Sequence, residues 1–236
     1  MRRLPQALWK GDFFGGLSIQ ARRDFELLAT RVQCPSTKVL IMEEQKPFNV
    51  LFLLEGEVSI SMHGTQFLFG VAGAGDILGL PSVISGDCSE ITAVARHPCK
   101  IASLHRQDFL DFLMRHPSAS QHIALELSRL YSRACERLRI LGLTTTVQAR
   151  LAHLMLEWCR DGLRTETGTQ ILFVLKHEEI GACIGASRES ISRALTDFKN
   201  RDLVRVHGST LIVPSCTALA IYAGIDSIPD QQASAQ

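Results

Sequence analysis

No apolar run in this chain of 236 residues approaches the roughly 18 needed to cross a bilayer as a helix. Two arginines follow Met1, but the apolar stretch of a secretory signal does not come after them, and Arg22, Arg23 and Asp24 soon interrupt the chain. A cytoplasmic protein without membrane contact is expected. The seven cysteines (Cys34, Cys88, Cys99, Cys135, Cys159, Cys183 and Cys216) are odd in number and scattered. There is no CxxC and no Cys/His pair at zinc-finger spacing, so no metal site is expected, and reduced, mostly buried thiols are. An excess of charge is also missing: 25 basic residues face 24 acidic ones, a net charge of +1. Any affinity for nucleic acid must then come from where the charges sit. Nor is there a P-loop, a nucleophile elbow, a GxGxxG following a strand, or an HExxH. His177, Glu178 and Glu179 are helix-start chemistry rather than a catalytic set, because successive side chains point different ways around a helix. An enzyme is not expected.

What is present is a globular composition, 46% hydrophobic and 21% charged, in a chain long enough for two domains. Residues 39–42, 50–54, 57–62, 66–71, 91–96 and 100–104 are short segments rich in Val, Ile, Leu and Phe. Gly56, Gly64, Gly73, Gly75, Gly79 and Gly86 fall between or beside them. Many short strands at close spacing predict a sandwich or jelly roll rather than a parallel sheet. A short amphipathic helix is predicted over 18–31, with Phe25, Leu27, Leu28 and Val32 as its apolar positions. Another covers 107–115, and a longer one runs over 119–141. In the long helix Ile123, Leu127, Leu130, Ala134 and Leu141 follow a 3-4 alternation, with Leu138 one place off and Arg137 at the seam. Such a stripe suits a two-helix dimer interface, or packing on the chain's own β-domain. Gly142 and the threonines 144–146 mark a hinge and a new helix start.

Beyond the hinge the pattern is helical again over 147–159, with Leu151, Leu154, Met155 and Trp158 on the inner side, then a strand over 171–175. Two short helices, 178–184 and 188–200, precede a hairpin of 203–206 and 210–213 turning at His207 and Gly208. Gly181 leaves room for a close crossing, Gly185 suits a tight turn with positive φ, and Ser187 caps the second helix. At about 100° per residue, Arg188, Glu189, Ser192 and Arg193 share one arc, while Ile191, Leu195 and Phe198 share the opposite one. Arginine can bond guanine O6 and N7 together, and glutamate can accept from cytosine N4. With the flanking hairpin, this is a winged helix-turn-helix.

The stretch EEIGACIGASRESISRALTDFKNRDLVRVHGSTLIV resembles the C-terminal domain of the Crp/Fnr family of bacterial transcription regulators. LFLLEGEVSISMHG and GAGDILGLPSV resemble the β-roll effector domain of the same family, and the likeness runs over roughly residues 25–214. It implies an α+β chain: a β-roll effector domain (1–117), a dimerisation helix and hinge (118–143), a winged helix-turn-helix (144–226) and a disordered tail (227–236). It also implies a homodimer on an imperfect palindrome of double-stranded DNA, with RNA polymerase as a partner. By position, Arg188, Glu189 and Arg193 correspond to base-reading residues, with Ser192 beside them. Lys176, Ser187, His207 and Gly208 fall where the family contacts phosphates.

Cyclic-AMP-binding members place a Glu after a glycine, to hold the ribose, and an Arg-Ser pair further on, to hold the phosphate. The matching residues here are Gly79, Leu80, Pro81 and Ser82, then Asp87, Cys88, Ser89 and Glu90, with no arginine between Gly79 and Ala95. A buried anion would find no neutralising partner, so cyclic AMP is expected to bind weakly or not at all. The cysteine cluster of the iron–sulfur branch is missing too. Haem stays open as an effector, with His63 and His97 as axial candidates, and Cys88 and Cys99 are candidates for redox chemistry.

Overall fold

The computed structural model describes residues 15–62, 67–143, 146–160, 162–172, 175–208 and 210–224. His63, the hinge residues 144 and 145, and the tail 227–236 lie outside them. The chain divides into two compact units, Met1–Arg133 and Ala134–Gln236, the division falling inside the long helix α4 (Pro117–Leu143).

The first unit starts with α1 (Ile19–Leu28), capped by Ser18, whose hydroxyl accepts from the Ala21 N–H at 3.1 Å. The helix is shorter than the sequence suggests because residues 30–34 pair with a neighbouring strand instead. That pairing puts Val32, expected on a helix face, on β1 (Thr30–Cys34), where it is 40% exposed. The strands that follow are β2 (Val39–Ile41), β3 (Asn49–Glu55), β4 (Val58–Met62), β5 (Phe67–Ala72) and β6 (Ile77–Leu78). After a short helix α2 (Leu80–Ser85) come β7 (Thr92–Ala95) and β8 (Cys99–His105), then α3 (Arg106–Arg115). Two antiparallel sheets result, in the orders β1-β8-β3-β6 and β2-β7-β4-β5. This is the β-roll.

Strand β3 shows why this layout suits the sequence. Its five central residues, 50–54, are all buried, yet side chains alternate across a strand, so two cores are needed. Leu51 and Leu53 enter the core between the sheets with Val58, Ala93 and Ile101. Val50, Phe52 and Leu54 enter a second core with Phe25 of α1 and Phe109 and Phe112 of α3. Phe25 meets Phe52 edge-on at 4.9 Å and Phe112 at 5.9 Å, contacts worth about 0.5–1.5 kcal/mol each beyond area burial.

Helix α4 buries part of the expected dimer stripe within the chain itself. Ile123 is 3% exposed and belongs to the second core, with Leu127 packed against it, so Ile123 is spent within its own chain. Leu130 and Ala134 are half-buried, and only Leu138 and Leu141 of the expected six are exposed. Tyr131, Cys135, Leu138 and Gly142 instead form an exposed 4-3-4 series, one residue out of phase with the expected one.

The second unit contains α5 (Val147–Arg160), β9 (Leu163–Thr165), β10 (Gly168–Leu172), α6 (His177–Ile184) and α7 (Arg188–Asn200). It ends with β11 (Arg205–His207), β12 (Thr210–Val213) and α8 (Cys216–Tyr222). One antiparallel sheet, β11-β12-β10-β9, flanks the helices. Leu151, Leu154 and Met155 of α5 are buried and Trp158 is half-buried, and α6, α7 and α8 all pack on α5. Arg137, expected at the dimer seam, lies within this unit at 6% exposure, its Nη2 3.4 Å from Glu157 Oε2 of α5. Its Nη1 is buried without a hydrogen bond. No helix among the described residues is long and apolar enough to cross a membrane.

Candidate nucleic-acid interface

Helices α6 and α7 form the helix-turn-helix, and its turn is built from glycines with different jobs. The Glu179 carboxylate accepts from the Lys176 N–H at 2.8 Å, tying off the start of α6. Gly185 ends α6 at φ 63°, ψ 49°, and the Ala186 N–H returns to the Gly181 carbonyl at 2.9 Å. A Cβ on Gly181 would overlap the Ala186 carbonyl oxygen, whereas one on Gly185 would meet nothing. Gly181→Ala should therefore cost several times more than Gly185→Ala. The first displaces backbone, while the second pays a left-handed conformation worth roughly 1–2 kcal/mol. Urea unfolding of the two variants measures both costs.

Ser187 caps α7, its hydroxyl accepting from the Ser190 N–H at 3.2 Å. Ile191, Ala194, Leu195 and Phe198 bury one side of α7, while Arg188, Glu189 and Arg193 stand exposed on the other. The Glu189 carboxyl is held below the usual carboxylate range by its own backbone N–H, then by the Ser187 hydroxyl, with Arg188 and Arg193 adding to the effect. It is an ionised acceptor between two arginines.

Ser192 departs from the expectation. It is half-buried, and its hydroxyl donates to the Arg188 carbonyl at 3.0 Å and lies 2.9 Å from His177 Nδ1. Ser192 thus joins α6 to α7 and is not a free base-reading group. Lys176 and His207 are exposed, and Gly208 turns the wing between β11 and β12 at φ 57°.

Sequence reading missed α8 and its hold on α7. The Tyr222 hydroxyl donates to Asp197 Oδ2 at 2.7 Å, and Arg201 bonds Asp197 Oδ1 at 2.9 Å while lying over the Tyr222 ring. Phe198 meets the same ring edge-on at 5.3 Å. The signal was Ser215 before an apolar run, a cap followed by a short helix.

Most of the residues expected to line an effector pocket are engaged in packing or in bonds to the backbone. Leu80 is fully buried in the second core with Phe109 and Phe112, which makes it a packing residue. Gly79 precedes α2 at φ 77° and is buried. The buried Ser82 hydroxyl donates to the Gly79 carbonyl at 3.2 Å, and the buried Ser89 hydroxyl donates to the Ile91 carbonyl at 2.9 Å. Pro81 and Cys88 are exposed. Arg106 closes the far end of α2, its Nε donating to the Val83 carbonyl at 2.8 Å. An open cavity on this unit is lined by Leu40, Ile41, Met42, Phe48 and neighbours, and by none of those six residues. His97 is exposed in the turn between β7 and β8, not enclosed as an axial ligand would be. Cys99, a redox candidate, is 2% exposed.

A β-roll, a long helix and a winged helix-turn-helix together define a ligand-responsive class of transcription regulator. Residues 149–222 match the family model of the Crp-like helix-turn-helix domain, and residues 31–116 match that of the cyclic nucleotide-binding domain. The cAMP-activated global transcriptional regulator CRP of Pasteurella multocida is 26% identical over 188 residues, covering 76% of this chain and 87% of its own length. A CooA mutant of Carboxydothermus hydrogenoformans superposes with a TM-score of 0.74 at 19% identity, over 94% of this chain and 96% of that one. FixK2 of Bradyrhizobium japonicum does so with a TM-score of 0.70 at 17% identity, over 86% and 99%. The chain belongs to the Crp/Fnr family of transcription regulators, which are not enzymes.

Proposed function

We propose that this regulator works as a homodimer on a palindromic operator, each subunit reading bases in the major groove with Arg188, Glu189 and Arg193. The observation that carries the reading is the exposed charged arc on the N-terminal half of α7, opposite a fully buried apolar side. Lys176, Ser187, His207 and Gly208 hold phosphates beside it. The domain limits follow the resemblance: effector domain 1–117, dimer helix 118–143, DNA-binding domain 144–226. The dimer seam runs along Tyr131, Cys135 and Leu138, exposed side chains at coiled-coil spacing. Closing that seam spaces the two α7 helices near one turn of DNA, about 34 Å. RNA polymerase is the downstream partner expected of the family.

Cyclic AMP does not control this chain. Leu80 is buried in the core, Ser82 and Ser89 spend their hydroxyls on backbone carbonyls, and Asp87 and Glu90 are the exposed charges nearby. Calorimetry of the dimer with millimolar cyclic AMP should show no heat of binding, and a gel shift on the selected operator should be unchanged by it. A stoichiometric complex would overturn this part. A visible absorption spectrum of the purified protein tests the haem alternative, since bound haem gives a Soret band.

A further inference from the structure

The cysteines divide by exposure: Cys34, Cys99, Cys159 and Cys183 are buried, Cys88 and Cys135 are exposed, and Cys216 lies between. Two of the buried ones stand directly opposite each other. The antiparallel pairing of β1 with β8 runs in unbroken register from Thr30 opposite Ser103 to Cys34 opposite Cys99. Residues so paired point to the same face of the sheet, with Cα atoms about 4.5–5.5 Å apart, and a disulfide spans Cα separations of about 4.4–6.8 Å. Both side chains belong to the core between the sheets, with Leu53, Val58, Ala95 and Ile101. Gly56 leaves room for the Cys99 sulfur, since a Cβ there would stand 2.7 Å from it. The Cys99 S–H donates to the His97 carbonyl at 3.1 Å, a bond that a crosslink gives up.

We propose that Cys34 and Cys99 are a dithiol that a hydroperoxide converts into a cross-strand disulfide within the β-roll. Cys34 is the sulfur that the oxidant meets first. It ends β1, the edge strand of its sheet, whose other four residues are exposed. An edge strand opens locally while the rest stays folded, whereas Cys99 lies on β8, held between β1 and β3. In the first step the Cys34 thiolate attacks one oxygen of the hydroperoxide. The O–O bond breaks, hydroxide or alkoxide leaves and takes up a proton, and Cys34 becomes a sulfenic acid. In the second, the Cys99 sulfur attacks the Cys34 sulfur, an S–S bond forms, and the sulfenic oxygen leaves as water with the Cys99 proton. Two electrons pass from the two sulfurs to the peroxide, which in the case of hydrogen peroxide yields two waters.

Burial, and then Cys99 itself, push the Cys34 thiol up, with Lys38 opposing them. Its thiolate is scarce, so the oxidation is slow and answers sustained rather than brief exposure. The crosslink would fix two strands that lead into the support of α4. β1 follows α1 directly after Ala29, and β8 runs straight into α3. Phe25 of α1 meets Phe112 of α3 in the second core, where Ile123 of α4 also packs.

The test holds the reduced full-length protein in excess hydrogen peroxide, then unfolds it in alkylating reagent and maps its peptides by mass. The expected product is a peptide pair joined through Cys34 and Cys99, lighter by two hydrogens and returned to two thiols by dithiothreitol. Cys34→Ser should leave Cys99 a free thiol under the same treatment. The oxidised protein should also unfold its β-roll at a higher urea concentration than the reduced one, a rise that Cys34→Ser abolishes. The proposal fails if Cys34 and Cys99 are recovered as free thiols once Cys88 and Cys135 have been oxidised. It fails equally if either is crosslinked to another cysteine, or reaches a sulfinic acid with no crosslink formed. A crosslinked protein with an unchanged urea midpoint would overturn the fixing of the two strands.

Discussion

Arg193→Ala should lower affinity for the selected operator by about 2–6 kcal/mol, roughly 30-fold to 2 × 10⁴-fold, while leaving affinity for random duplex almost unchanged. Each half-site loses one two-pronged contact to guanine, worth about 1–3 kcal/mol, and the dimer loses it twice. The side chain is exposed on α7, and the buried side of that helix does not include it, so the fold should hold to within about 0.5 kcal/mol. Lys176→Ala is the matched control. As a phosphate contact it should weaken all sequences alike and flatten the salt dependence by about one unit per lost contact. Fluorescence anisotropy at several salt concentrations reads both effects, and equal losses on operator and random DNA for Arg193→Ala would remove it from base reading.

Glu157→Gln should destabilise the DNA-binding unit by about 3 kcal/mol, read as a lower urea midpoint of its unfolding. Arg137 is 6% exposed and faces Glu157 at 3.4 Å, with Cys183 of α6 close to both. A guanidinium cannot shed its proton, so neutralising its partner strands a charge in the interior. Replacing Arg137 by Met in the same chain should recover most of the loss, because an apolar side chain of similar volume has no charge to strand. If the single and double variants unfold alike, the pair is not holding the end of α4 to α5.

The recognition helix was legible because its signals are local. The turn glycines, the Ser187 cap and the two arcs of α7 all lie within one 23-residue segment, 178–200. Most strands were legible as apolar runs, and even β3, buried along its five central residues, read correctly as a strand, though the reason for its burial, two cores on its two faces, is tertiary. The misses share that cause. Ser192 looked free because its partner, His177, lies on another helix. Ile123 fits a coiled-coil stripe equally well as a core position, and only the packing of α4 on the β-roll decides between them. The expected stripe therefore lies one residue from the face that this chain leaves exposed. β1, reading TRVQC, has four exposed residues of five and no apolar alternation to mark it, so its neighbour α1 was drawn too long. Leu80 was read only as a replacement for the ribose-holding Glu, and its place in the core follows from α2 folding against α3, which no spacing in the sequence shows.

Selection of preferred sites from a random duplex library by the purified full-length protein tests the central claim most directly. The enriched sequences should carry two inverted half-sites with centres about one helical turn apart, each holding a guanine that Arg193→Ala no longer distinguishes. A library that emerges unenriched, or enriched for a single undivided site, would contradict a symmetric pair of α7 helices reading DNA.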